Sequence, residues 1–299
     1  MRDLVGDEKM NRERRSTLYV FFAALLFSIG GLCVKVIPWS GLTINGMRNL
    51  ISVLILTVYF KGTGRRIVIN KGVIMGAVCM AGVTSLYCLA NKLTTAANTI
   101  ILQFTAPIFV ILLSWMLFKE RPKRLDVAAC IVVTGGVVCF FVDSVSAGNG
   151  LGNALAVLSG VCYAGVFMMN TFPEADSLSS IYLGQAVCAL TQAPLILTET
   201  EFNGQAVIAI LVLGMFQLAL AYILMAKGLE HTPPIAASLT TGIEPVLNPI
   251  FVGIFYQERI SLLSFVGAAI VFLGIISYNV LKLVRSAPKC ENSSKRGPV

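Results

Sequence analysis

The sequence predicts an all-α membrane protein in which ten transmembrane helices form two inverted five-helix repeats. Three observations carry that expectation. Ten apolar segments, each near the ~20 residues that a bilayer core requires, fill almost the whole chain. Lys and Arg collect in alternate gaps between those segments. The second half also repeats the first at a nearly constant offset.

Composition sets the broad class. Of 299 residues, 56% are hydrophobic and only 13% charged, against about 25% charge in an average soluble domain. The mean hydropathy is +0.81. The formal charge of +8 does not point to nucleic acid, because the basic residues sit in short gaps between apolar runs. Seven of the eight cysteines lie inside apolar segments and none forms a CxxC pair. They read as small packing residues, with no disulfide and no metal site expected.

Residues 1–16 are polar and charged, and they read as a cytoplasmic N-terminal arm without the pattern of a cleavable signal peptide. The apolar segments follow at about 17–37, 43–60, 71–91, 95–118 and 124–142, then 151–170, 178–197, 205–226, 235–256 and 262–282. Most gaps are short, leaving no room for an inserted soluble domain. Apolar residues run continuously without alternating, which excludes a β-barrel. Residues 283–299 read as a cytoplasmic disordered tail.

With ten spans, nineteen Lys and Arg fall on one side of the membrane and two, Lys92 and Arg259, on the other. The richer side is the cytoplasmic one, so both termini are expected there, in a cell (inner or plasma) membrane. The gap at 171–177 is the one cytoplasmic connection, by this reading, that carries neither Lys nor Arg.

The stretch APIFVILLSWMLFKER (106–121) matches EPVLNPIFVGIFYQER (244–259). Pro107 pairs with Pro245, Glu120 with Glu258 and Arg121 with Arg259, all 138 residues apart; Gly76 with Gly214 and Gly136 with Gly274 keep the same offset. Earlier in each half, GGLCVKVIP (30–38) parallels GVFMMNTFP (165–173), which sets Gly30 on Gly165 and Lys35 on Asn170. The repeats are expected at 17–142 and 151–282. Five helices per copy is an odd number, so the second copy enters the membrane upside down. Inverted repeats are common in secondary transporters, where they frame a site near the midplane.

The paired P-x12-E-R segments and the two five-helix halves resemble the EamA-type branch of the drug/metabolite transporter superfamily, over residues 17–282. The resemblance implies a ten-helix basket with a central cavity that moves amino acids, metabolites or drugs. This chain departs from repeat symmetry where Gln103 and Ala106 stand opposite Thr241 and Glu244.

A charge at the bilayer centre costs about 2.5–3.5 kcal/mol on insertion scales, so charges within spans are the first candidates for a site. Glu244 lies near the middle of the ninth segment and is the only carboxylate so placed. Two readings stand for it: a group that binds a coupling proton or cation, or a paired Glu that ties two helices together. Arg48 lies five residues into the second segment, about 8 Å deep at 1.5 Å per residue. It reads as a grip for an anionic substrate group, or as a snorkelling or bundle-paired side chain. Lys35, near the outer end of the first segment, carries the same two readings. Pro107, Pro245 and Pro249 break their helices and free carbonyls, as in many transport sites. Thr241, Glu244 and Asn248 share one helical face. Tyr87, Gln103, Tyr163, Asn170, Gln217 and Tyr222 complete the polar set, each readable as cavity lining or as interhelical glue.

No catalytic constellation, metal cluster or cofactor motif is expected, so an enzyme and an ATP-driven pump are both disfavoured. The expected function is secondary transport of a small organic metabolite by alternating access, an amino acid or related compound, with export as one direction. Uptake of a sugar or phosphorylated metabolite is the alternative, and a non-transporting scaffold or sensor is the alternative of another class. The expected partners are a small-molecule substrate, the lipid bilayer and a candidate coupling proton; oligomeric state is open. The charge pattern yields a direct test of topology: reporter fusions at residues 66, 122 and 288 should read cytoplasmic and one at 147 external. An external reading at 288 rules out ten spans.

Overall fold

The computed structural model describes residues 2–94, 96–119, 121–141, 149–247 and 262–286. Among them all regular structure is helical. In chain order the first half contributes α1 (Arg2–Phe27), α2 (Gly30–Val36), α3 (Gly41–Thr63), α4 (Lys71–Leu93), α5 (Ala96–Gln103), α6 (Ala106–Phe118) and α7 (Arg124–Phe141). The second half contributes α8 (Gly150–Phe167), α9 (Ser177–Gln192), α10 (Gly204–Leu229), α11 (Pro234–Thr240) and α12 (Leu262–Ser286). Helix occurs in each of the ten expected segments. Among the described residues, six helical stretches are long and apolar enough to cross a membrane: α3, α4, Thr99–Phe118, α8, Ser177–Thr198 and α10, with Val266–Lys282 a shorter apolar one.

Several boundaries differ from the expectation. The polar arm is helical and continuous with the first apolar segment, the two together forming α1. The segments at 17–37 and 95–118 are not single helices. The first is interrupted after Phe27, and the second at Phe104–Thr105, just ahead of Pro107 in the first turn of α6. The segment at 178–197 ends in a 3-10 turn, Ala193–Thr198, because Pro194 cannot continue α9. Helix α12 extends to Ser286, past the expected end at 282. Asn248, Pro249, Glu120, Glu258 and Arg259, the Lys35 side chain and the tail beyond 286 lie outside the described residues.

Polar caps start the helices where the chain leaves a loop. Ser40 caps α3 through Thr43 N, Asn70 caps α4 through Val73 N, Asp176 caps α9 through Ser179 N and Asn203 caps α10 through Ala206 N. Leu54, Val58, Ile131, Leu190 and Leu273 are exposed on the outside of the bundle, where a bilayer and not water would cover them.

The packing repeats by a two-fold rule. Helix α4 packs on α8, and its counterpart α10 packs on α1; α4 on α9 is matched by α10 on α3. Helices α5 and α6 on α8 are matched by α11 on α1, while α3–α9 and α7–α12 are their own counterparts. The α7–α12 seam resolves this to single residues. A Cβ at Gly136 would stand 2.9 Å from Ile270 Cγ2 and Val271 Cγ2, and one at Gly274 would stand 3.1 Å from Val132 and Val133. Both pairs are 138 residues apart, so the seam is isologous, each copy offering the same patch. Likewise Gly30 faces Gln217 and Gly165 faces Cys79. Small residues bring backbones close where apolar lipid supplies no hydrophobic drive for helix association.

Adjacent glycines on α7 separate packing from propensity. Nothing lies within 4 Å of a Cβ at Gly135, whereas one at Gly136 would also meet Val271 N at 3.1 Å. Gly135→Ala should be neutral or stabilise by about 0.5–1 kcal/mol through helix propensity. Gly136→Ala should cost roughly 1–3 kcal/mol by overpacking. Unfolding of both variants in mixed micelles measures the difference, and equal stability would remove the seam argument.

Candidate functional site: a polar cavity between the two halves

A small cavity lies where the halves meet. Its wall takes Phe27, Gly30, Val34, Arg48, Thr84, Tyr87 and Gln103 from the first half, and Tyr163, Gln217, Leu218, Tyr222 and Glu244 from the second. Its volume is about 50 Å³, room for a few water molecules. A metabolite fits only if the walls part.

Four helix irregularities among the described residues border this cavity. The break after Phe27 sets Phe27 and Gly30 on the wall. The break at Phe104–Thr105 follows Gln103 directly. Helix α10 widens to a π-helix over Leu213–Leu220, which carries Gln217 and Leu218. Helix α11 gives way to a 3-10 turn, Thr241–Ile243, and Glu244 follows it. The physical reason for the last is Pro245, which lacks the N–H that would bond back to Thr241 and disfavours helical geometry just before it.

Arg48 is 3% exposed and does not snorkel. Its Nε and Nη2 donate to Asn45 Oδ1 at 3.1 and 2.9 Å, Nη1 donates to Gln217 Oε1 at 3.3 Å, and Nη2 also donates to Cys88 Sγ at 3.3 Å. These acceptors are all uncharged. Asn45 is itself anchored: its Nδ2 donates to Gln192 Oε1 at 2.7 Å, and Asn49 Nδ2 donates to its Oδ1 at 3.0 Å. Among the described residues no carboxylate comes within ion-pairing distance of Arg48. The guanidinium is therefore held in place without being neutralised.

Glu244 supplies the cavity's one carboxylate among its described lining residues. Tyr163 is placed to hydrogen-bond it. Tyr87 and Tyr222 stand within electrostatic reach of both Arg48 and Glu244. Gln103 Nε2 donates to Ser159 Oγ at 2.7 Å. Thr241 is buried behind Tyr163, and its hydroxyl donates back to Ser238 O at 2.9 Å.

Of the residues singled out from the sequence, Arg48, Tyr87, Gln103, Tyr163, Gln217, Tyr222 and Glu244 come together on the wall. Asn170 does not. Helix α8 ends at Phe167, so Asn170 falls in the following turn, where its Oδ1 accepts from Ser177 N at 3.1 Å. Lys35 lies on α2. Pro107 is buried in the first turn of α6. Sequence reasoning overlooked the anchor of Arg48. The signal was present: Asn45, Arg48, Asn49 and Ser52 are spaced i, i+3, i+4, i+7 on α3, one polar stripe in an apolar helix.

Matched latches hold both ends. On one, Trp39 Nε1 donates to Glu201 O at 2.8 Å, and Ser40 N and Thr43 Oγ1 donate to Glu199 Oε1 at 2.8 and 2.7 Å. On the other, Asn70 Nδ2 donates to Glu174 O at 2.7 Å and Val68 N donates to Ser179 Oγ at 3.1 Å. Each latch ties a loop of one half to a loop of the other.

A model of the EamA-like transporter family matches residues 14–142 and again 150–280. The chain belongs to that family. It is thus a multi-pass membrane transporter built from two repeats, not an enzyme. An uncharacterized transporter of Bacillus subtilis (strain 168), YwfM, is 26% identical over 302 residues, covering 93% of this chain and 96% of its own. An uncharacterized transporter of Clostridium kluyveri is 24% identical over 218 residues, covering 67% of this chain and 69% of its own. A solved crystal structure superposes with a TM-score of 0.75 over 90% of this chain and 98% of its own, at 19% identity, a likeness of fold alone.

Glu199 lies just beyond the span that ends at Thr198, and it titrates. Partial burial nudges its carboxyl upward, but hydrogen bonds from Thr43 and Ser40, with Lys92 nearby, outweigh that and hold it below its ordinary value of 4.5. A depressed folded value stabilises fully above the unfolded value and is lost as pH falls through the folded one. Wild type should therefore melt above Glu199→Gln at pH 7, with the gap closing below about pH 4. A gap that stays constant across a pH series of melting curves would remove the carboxylate from the latch.

Proposed function

We propose that this transporter works by alternating access across ten spans in two inverted repeats, both termini cytoplasmic, and that it carries an amino acid or a related small carboxylate. The observation that carries the reading is the pairing in one cavity of an unneutralised Arg48 from the first half with Glu244 from the second. A guanidinium whose protein acceptors are all neutral keeps its charge for an incoming anion, and its planar fork suits a carboxylate. Glu244 then takes the ammonium end of the solute or the coupling proton. The tyrosines between them supply hydroxyls and ring faces that suit a small zwitterion better than a sugar.

Alternating access finds support in the paired latches. They are equivalent under the two-fold rule, one at each end, and each joins loops from opposite halves. Opening one while the other holds would expose the cavity to one side at a time, as inverted repeats do when they exchange conformations.

The test is uptake into proteoliposomes from a panel of labelled amino acids, organic acids, sugars and cationic drugs, with and without an imposed pH gradient. Arg48→Gln removes a charge-assisted contact worth about 1.5–3 kcal/mol, so the apparent KM should rise roughly 10- to 150-fold while the protein still folds, with a melting temperature lowered by the lost bonds to Asn45 and Gln217. Glu244→Gln should lose gradient-driven accumulation but keep solute exchange. Transport by Arg48→Gln with an unchanged KM would assign Arg48 to packing. A gradient response by Glu244→Gln equal to wild type would make Glu244 an interhelical anchor.

A further inference from the structure

Away from the central cavity, a larger cleft of about 520 Å³ opens where α6, α7, the turn after α8, α11 and α12 converge. By the charge pattern this is the cytoplasmic end. Its mouth carries Arg121, Lys123 and Lys282. Arg121 and Lys123 are exposed, while Lys282 donates to Glu13 at 2.6 Å. Asp126, the carboxylate on the cleft wall, already accepts from Tyr278 Oη at 2.9 Å. Ile111, Phe118 and Leu125 make the rest of the wall apolar.

A second hollow of about 440 Å³ continues from this cleft and shares Leu125 and Tyr278 with it. It runs along the α7–α12 seam and is lined almost wholly by apolar groups, among them Ala128, Val132, Leu273 and Leu281. Leu273 and Leu281 are exposed there, on the outer face of the bundle. The glycines that draw α7 and α12 together leave little side-chain bulk along the seam, so a furrow remains.

We propose that this joined pair of hollows binds one anionic phospholipid, its phosphate between Arg121 and Lys123 and an acyl chain along the α7–α12 furrow. Charge complementarity and continuity name the occupant. A soluble anion has no use for an apolar furrow that opens sideways to the bilayer. A zwitterionic lipid gains little from two exposed cations at headgroup level that form no ion pair with another described residue. Basic clusters at the cytoplasmic face attract anionic headgroups at about 1 kcal/mol per Lys or Arg. The site shares no lining residue with the central cavity, so this proposal stands apart from the transport reading.

The experiment uses the full chain, purified in neutral detergent and titrated with phosphatidylglycerol, phosphatidylcholine or inorganic phosphate, followed by its melting temperature. Phosphatidylglycerol should raise the melting temperature of wild type and the other two should not. The double variant Arg121→Gln/Lys123→Gln should need roughly 30-fold more phosphatidylglycerol for the same rise. Ala128→Trp, which fills the furrow and leaves both cations, should blunt the rise as well. Equal rises from both lipids in wild type overturn the proposal without recourse to any variant. A rise with inorganic phosphate equal to that with phosphatidylglycerol makes the cleft a free-anion site and overturns it. So does a lipid-independent dimer broken by Ala128→Trp, which would put a second copy of the chain in the furrow.

Discussion

Inside a bilayer no water is available to satisfy a broken backbone hydrogen bond, so irregular backbone persists only where it lines a cavity or is buried in protein. That constraint organises this bundle. Among the described residues, the deviations after Phe27, at Phe104–Thr105, over Leu213–Leu220 and at Thr241–Ile243 border one small chamber, while the 3-10 turn Ala193–Thr198 lies at the end of its span. At two of these breaks a hydroxyl takes up a nearby carbonyl, Thr105 Oγ1 donating to Leu102 O and Thr241 Oγ1 to Ser238 O.

The two-fold relation between halves turns this local rule into a device. Gly136 against Ile270 and Gly274 against Val132 are the same contact made twice. The central wall draws on both copies of the repeat, yet the chemistry there is not symmetric. The first copy contributes Arg48 and Gln103, whereas the second contributes Glu244 where the first has Ala106. The scaffold is thus two-fold while the polar groups it presents to the cavity are not. The latch at Glu199 and its counterpart at Asn70 follow the same pattern, similar in place and different in residue type.

Arg48 illustrates why a buried charge is read from its partners and not from its depth. About two turns into α3, Arg48 is by depth alone still within reach of the interface for a snorkelling side chain. The guanidinium turns inward because Asn45, one turn before it, offers an amide oxygen that is itself held by Gln192 of α9. Burying an unpaired cation costs several kcal/mol unless its donors are satisfied, and here the described acceptors are all neutral dipoles.

Sequence by itself determined the class of the protein, its division into two repeats and most of the polar wall, because apolar length, charge bias and the 138-residue offset are written along the chain. Prolines at 107 and 245 marked where two helices would break. Only the tertiary structure decided that the first apolar segment breaks after Phe27, that α10 widens around Gln217, that Asn170 accepts from Ser177 N in a turn and not on the wall, and that Arg48 is held by uncharged partners. Those features depend on which residues of the other half lie opposite. A hydrogen bond such as Arg48 to Gln217 spans 169 positions in the chain, and no local pattern in either segment encodes that the two will meet.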